Sequence, residues 1–256
     1  MLLPRIIPCL LLSGKGLVKG VKFRNHTYVG DPINTVQIFN TKEADEILFL
    51  DITATREKRI PPLDLIQRIA DQCLMPFGIG GGVTSVRHIR DILATGAEKV
   101  CICSAAVANP ALIQEASSVF GSQSIVVSID VKKTFWGKYE VCTKNGTQAT
   151  GLDPVGHALH MERMGAGELL INSIDRDGTM QGYDIELLQK VTAAVNIPVI
   201  ACGGAGDYGH LTSALHDTRC SAVAAGSLFV FHGKRRAVLV NYPSKAEAEI
   251  IRRPRT

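Results

Sequence analysis

Met75-Pro-Phe-Gly-Ile-Gly-Gly-Gly82 returns, 122 positions on, as Ile197-Pro-Val-Ile-Ala-Cys-Gly-Gly204. In each stretch a proline, Pro76 or Pro198, opens a short apolar run. Each run ends on paired glycines, Gly81-Gly82 or Gly203-Gly204. A second match follows, because Cys101-Ile-Cys-Ser104 aligns with Ala224-Ala-Gly-Ser227 at an offset of 123. The opening run, Arg5-Ile-Ile-Pro-Cys-Leu-Leu-Leu12, aligns with Ser124-Ile-Val-Val-Ser-Ile-Asp130 at an offset of 119, which sets Leu11 on Asp130. Small loop insertions account for the drift. The repeat reads as two half-barrels, residues 1–120 and 121–256, inside one domain spanning residues 1–256.

Working outward, apolar runs at 5–12, 46–52, 75–79, 99–103, 124–130, 168–172, 197–202 and 221–226 are nearly continuous, as expected of strands buried on both faces. Helical patterns fill the gaps. Residues 84–95 set Val86, Ile89 and Leu93 on one face. Asn109 reads as an N-cap with Pro110 at the first helical position, ahead of Ile113, Ala116 and Phe120. Asp184 reads as the cap of a helix carrying Ile185, Leu188 and Val191. Eight such units predict a (β/α)8 barrel. A doubly wound sheet is the alternative, and the even spacing and the repeat count against it. Residues 231–243 do not read as a long amphipathic eighth helix. They read as an extended or short irregular closure before a weak helical run at 246–252.

Composition narrows the classes of function. Apolar residues make up 46% and charged residues 20% of the 256, ordinary for a globular chain. The net charge of +4 is spread along the sequence, so no nucleic-acid partner is implied, and Arg252-Arg253-Pro-Arg255 reads as a solvated tail. No apolar run approaches the roughly 18–20 residues of a membrane span, and Arg5 interrupts any signal-peptide pattern. The seven cysteines contain no C-x-x-C pair and predict reduced, buried thiols in a cytoplasmic protein. His157 and His160 share a helix face without a third ligand, so neither a metal nor another cofactor is expected.

Barrel sites gather where the strands end. Glycine pairs there let backbone N–H groups approach a ligand, and a following helix start adds positive potential. Gly81, Gly82 and Ser104 form one such phosphate cradle, and Gly203, Gly204, Gly226 and Ser227 the other. Two cradles suit a ligand with a phosphate at each end. Strand-end carboxylates are Asp51, Asp130 and the Asp175/Asp177 pair. Asp130 follows an apolar run, where partial burial would raise its pKa and suit acid–base work.

The chain resembles the cyclase subunit of imidazole glycerol phosphate synthase. The resemblance rests on Val18-Lys-Gly20, Gly30-Asp-Pro32, Phe49-Leu-Asp-Ile-Thr-Ala54, Gly80-Gly-Gly82, Phe120-Gly-Ser-Gln123, Ser173-Ile-Asp-Arg-Asp-Gly-Thr179 and Gly203-Gly-Ala-Gly206. It implies a glutaminase partner docked beneath the barrel, and ammonia entering through a charged gate at Arg5, Glu46, Lys99 and Glu168. Glu98 matches a partner-facing acidic position. At the top, a bisphosphorylated aminoimidazole carboxamide nucleotide would be cleaved and closed by two aspartates. Asp130 matches one of them, Leu11 stands where the other belongs, and Asp51 and Asp177 are candidates to cover for it. The resemblance places Lys19 in a mobile loop as a phosphate-holding cation, and adds Gly178 and Cys103 to the phosphate-binding positions. Cys103 replaces a polar amide, Cys202 replaces a serine, and Ser13-Gly-Lys-Gly16 lacks an acidic residue usual there.

The departures resemble a side branch found with surface-polysaccharide genes. There the barrel and its glutaminase are thought to supply ammonia to a sugar amidotransferase that makes an acetamidino group. Three readings stay open: an ammonia-conducting subunit for sugar modification, a true cyclase of histidine biosynthesis, and a phosphate-binding scaffold without catalysis.

Overall fold

The computed structural model describes residues 3–233 and 235–253. Eight strands run parallel: β1 (Arg5–Ser13), β2 (Ile47–Asp51), β3 (Phe77–Gly80), β4 (Lys99–Ile102), β5 (Ile125–Lys133), β6 (Glu168–Ser173), β7 (Val199–Cys202) and β8 (Ala222–Ala225). Each pairs with the next. β8 returns to β1 in the register Arg5↔Ala222 to Pro8↔Ala225, which closes the ring. The helices of eight or more residues are α1 (Pro32–Thr41), α2 (Leu63–Ala70), α3 (Val86–Ala94), α4 (Ala111–Phe120), α5 (Pro154–Arg163), α6 (Ile185–Ala194), α7 (Tyr208–Asp217) and α8 (Lys245–Arg252). This is a (β/α)8 barrel, and the doubly wound alternative is excluded by closure.

Both faces of every strand are covered, so the runs are apolar without alternation. Period-2 geometry still sorts them. In β1, Ile6, Leu10 and Leu12 join the layer under the helices, while Ile7 and Cys9 point into the lumen. The lumen is filled by Leu48, Cys101, Val126, Leu170, Ile200, Cys202, Ala222 and Ala224. Caps start the helices where polar side chains precede them. Asp31 and Asp153 do so with proline at the next position, and Asp184 accepts from Leu187 N at 3.2 Å. At α4 the expected Asn109 cap is not used. The helix begins at Ala111 without a side-chain cap, because Pro110 is already in helical geometry ahead of it.

Antiparallel hairpins project beyond the strand ends. Strands Gly16–Val21 and Arg24–Gly30 form an antiparallel ribbon that continues β1 through Leu11↔Val18. Lys19, expected in a mobile loop, is therefore a buried strand residue. The ribbon turns at Lys22 and Phe23, both at positive φ (50° and 60°), as a two-residue hairpin turn requires. Tyr139–Thr143 pairs with the end of β5, and Phe231–His232 pairs with Ala237–Val238.

The C-terminal closure is more ordered than its sequence suggests. Ser244 and Glu247 form a reciprocal capping box that starts α8, which buries Ala248 and Ile251. Just before it, the Tyr242 hydroxyl donates to Ile6 O at 2.8 Å and accepts from Asp45 N at 3.2 Å. The Tyr242 ring packs against Phe39 and Phe229. Lys234 and, from the basic tail, Pro254 and Arg255 lie outside the described residues. No helix among the described residues is long and apolar enough to cross a membrane.

Tyr242→Phe keeps the ring and leaves the buried Ile6 O on β1, and the half-buried Asp45 N ahead of β2, without their hydroxyl partner. We expect a loss of about 1–3 kcal/mol in urea denaturation, with an unchanged folded circular dichroism spectrum.

Candidate functional site

A cavity of about 260 Å³ opens at the C-terminal ends of the strands. It is lined by residues from every barrel strand or the loop that follows it, among them Leu11, Asp51, Asp130, Asn172 and Ser227. Asp130 sits on β5 and is 9% exposed. Cys103 Sγ donates to its Oδ2 at 3.5 Å, and Ser128 Oγ donates to Oδ1 at 3.4 Å. Burial pushes its carboxyl from the ordinary 3.8 up to about 6. Bonds from Cys103, Ser128 and Asn172 oppose that rise, and the charge of Asp177 adds to it. Asp130 is thus ionised at neutral pH yet close to its titration point, which suits a proton-transferring group. Burial and the negative charge of Asp130 push the Cys103 thiol well above its ordinary range, so the thiol remains a donor.

The other mouth carboxylates are occupied. Lys19 Nζ reaches Asp177 Oδ1 at 2.8 Å and Oδ2 at 2.9 Å, a pair buried across the mouth. Asp51 accepts from Thr53 N (2.9 Å), Thr53 Oγ1 (2.9 Å), Ala54 N (3.1 Å) and Arg59 Nη1 (2.6 Å). Its carboxylate holds the loop after β2. Both were candidate acids on sequence. Each is already engaged by a cation, Asp177 by Lys19 and Asp51 by Arg59, so neither can turn to a ligand without giving up that pair. Leu11 is half-buried and lines the same cavity as Asp130.

The glycine pairs recur with matching contacts. At Gly81 (φ +121°) an added Cβ would lie 2.5 Å from Asp51 O, and at Gly203 (φ +87°) it would lie 2.7 Å from Ser173 O. The touched residues, like the glycines, are 122 positions apart. Gly82 and Gly204 are equally closed to side chains. All the expected phosphate-binding positions line this one cavity: Gly81, Gly82, Cys103 and Ser104, and Gly178, Gly203, Gly204, Gly226 and Ser227. Ser104 Oγ also accepts from Lys144 N at 3.0 Å, which ties it to the hairpin after β5.

At the opposite end, Arg5 bridges Glu46 and Glu168. Lys99 Nζ bridges the same two carboxylates at 3.0 Å each. Two cations and two anions alternate in a closed ring below the lumen. Glu98 is exposed beside it, and partial burial together with the charge of Glu46 holds its carboxyl above the ordinary range.

Several lining residues gave no sequence signal. Phe23 and His26 arrive on the ribbon, Asn145 on the hairpin after β5, Lys58 and Thr84 on loops, and His88 on α3. Only Asn172 was legible in principle, as the polar end of an apolar strand. Its Oδ1 is buried with no hydrogen-bond partner. His157 is buried away from the mouth on α5, its pKa lowered to about 4 by burial and by the charge of His160. Among the described residues no group of three or more His, Cys, Asp or Glu is placed to hold a metal ion.

The raised Asp130 pKa fixes a sign. Stability associated with protonated Asp130 is full below 3.8 and is lost as pH rises through about 6. Asp130→Asn should therefore stabilise the fold by about 1–3 kcal/mol at pH 7. The gain should shrink toward pH 4 in parallel urea titrations.

The "Histidine biosynthesis protein" family matches residues 5–235. A Pseudomonas aeruginosa protein, named as a provisional imidazole glycerol phosphate synthase subunit hisF2, is 48% identical over 246 residues, covering 96% of this chain and 98% of that one. A Leptospira interrogans protein, named as a provisional HisF subunit of that synthase, is 47% identical over 252 residues, covering 98% and 99%. A Vibrio vulnificus protein, named as a provisional hisF3 subunit, is 46% identical over 248 residues, covering 96% and 95%. With a closed barrel and a match along nearly its whole length, the chain belongs to the histidine biosynthesis protein family.

Proposed function

We propose that this chain is the ammonia-accepting barrel of a glutamine amidotransferase complex, with its own ring-closing chemistry reduced. The observation that carries the reading is Leu11. It lines the cavity that holds Asp130, while Asp51 and Asp177 are each bound by a cation. Leucine exchanges no proton, and general acid–base assistance is worth about 10²–10⁴-fold per group.

The remaining features suit delivery of a small neutral amine. The Arg5/Glu46/Lys99/Glu168 ring closes the bottom and must part to admit anything. Above it the lumen is apolar, which favours ammonia over ammonium because a bare cation pays heavily for leaving water. At the top, the unpartnered Asn172 Oδ1 beside Asp130 offers an acceptor to an arriving N–H group. A glutaminase bound at the bottom face would supply the ammonia, with Glu98 among its contacts. The product would serve a sugar amidotransferase making an acetamidino group in surface polysaccharide. We also infer that the chain arose by duplication of a half-barrel, residues 1–120 and 121–256, since the paired glycines repeat their contacts.

A second reading draws on the two cradles. A bare conduit has no need of paired phosphate sites in one cavity, and their retention favours a synthase that closes imidazole glycerol phosphate in histidine biosynthesis.

Purified protein given ammonia and the bisphosphorylated nucleotide separates the two. We expect negligible turnover, and a gain of about 10²–10⁴-fold in Leu11→Asp. Wild-type turnover at an ordinary rate of about 1–10³ s⁻¹ would replace the first reading with the second. Glu98→Lys should weaken glutaminase binding at least about tenfold by calorimetry. An unchanged affinity would move the partner to another face.

A further inference from the structure

Arg236 occupies a position that ordinary surface arginines avoid. It is the last turn residue of the hairpin Phe231–His232/Ala237–Val238, with its backbone in the left-handed region at φ 52°. Its N–H bonds Gly233 O at 3.0 Å. That strained placement sends the side chain inward, over the Phe231 ring at 4.7 Å. Arg236 Nη2 donates to Gly178 O at 3.1 Å and Ser227 Oγ at 3.4 Å. Both acceptors belong to the second cradle.

Charge makes the case. Lys19 and Arg59 each meet a carboxylate at the mouth. Arg236 meets none among the described residues, and its Nε is buried without any acceptor. A half-buried guanidinium facing only a carbonyl and a hydroxyl leaves its charge and one donor unmatched, a costly state unless an anion completes it. The stem of Lys19 reaches the same spot, since a Cβ on Gly226 would lie 3.0 Å from Lys19 Cε. A further cavity of about 250 Å³ between ribbon and hairpin is lined by both cations. Among the described residues the first cradle has no comparable inward cation, as Lys58 is exposed.

We propose that Arg236 is an anion-binding residue of the second cradle, supplied by the C-terminal hairpin. It makes that cradle the stronger of the two, with a phosphomonoester dianion as its ligand. The proposal rests on the two-cradle reading given above.

Inorganic phosphate is the probe, titrated by calorimetry into the wild type, Arg236→Gln and Arg236→Lys. We expect the wild type to bind two phosphates per chain with unequal affinity. Arg236→Gln should weaken the tighter one about ten- to a hundredfold and spare the weaker. Arg236→Lys, which keeps charge and loses the fork, should fall between. A wild type that binds two phosphates beside an Arg236→Gln that binds them equally well overturns this proposal alone. A wild type that binds no phosphate overturns the two-cradle reading and this proposal with it. Wild-type crystals soaked in phosphate read the same point without substitution. Phosphate bonded to Arg236 supports the assignment, and phosphate on Gly204 and Ser227 with the guanidinium turned away defeats it.

Discussion

Closure of the sheet governs everything else in this molecule. Once β8 pairs with β1, none of the eight barrel strands is left at an edge, and every second side chain is committed to a shared axis. Along that axis the chain builds layers: a ring of alternating charges at the strand starts, an apolar middle that includes Cys9, Cys101 and Cys202, and a polar mouth at the strand ends. A residue's height on its strand decides its chemistry. Asp130 and Val126 belong to one strand and point the same way, yet one titrates and the other fills space.

The mouth shows how one neighbourhood separates three carboxylates. Asp51 is consumed by a loop and Arg59, Asp177 is held by Lys19, and Asp130 is buried with only neutral donors around it. Asp130 has its proton affinity lifted toward neutrality, because burial penalises a charge that no cation offsets. Leu11 lines the same mouth and can exchange no proton.

Much of this was legible in the sequence, for definite reasons. Strands buried on two faces write continuous apolar runs, and glycines needed for close backbone approach repeat at fixed spacing, so the barrel and its two glycine-pair turns could be read from residues such as Gly81 and Gly203. Capping side chains were legible at Asp184 and misleading at Asn109, where Pro110 took over the start of the helix. What stayed hidden depends on chain reversals. Residues 16–30 carry no strong alternation, so the ribbon, and with it the Lys19–Asp177 pair spanning 158 positions, could not be seen locally. Arg236 was hidden likewise, since its turn contains no signal that a side chain is sent inward.

The bond from Tyr242 to Ile6 joins positions 236 residues apart. During synthesis, β1 leaves the ribosome early and gains β2 on one side within some tens of residues. Its other flank must wait for β8, and its final tether for the segment after it. A nascent chain therefore carries an unpaired, strongly apolar edge for most of its translation, a template for mispairing with neighbouring polypeptides. Chaperone demand for this protein should thus be set by the time between its first strand and its last, more than by the stability of the finished barrel.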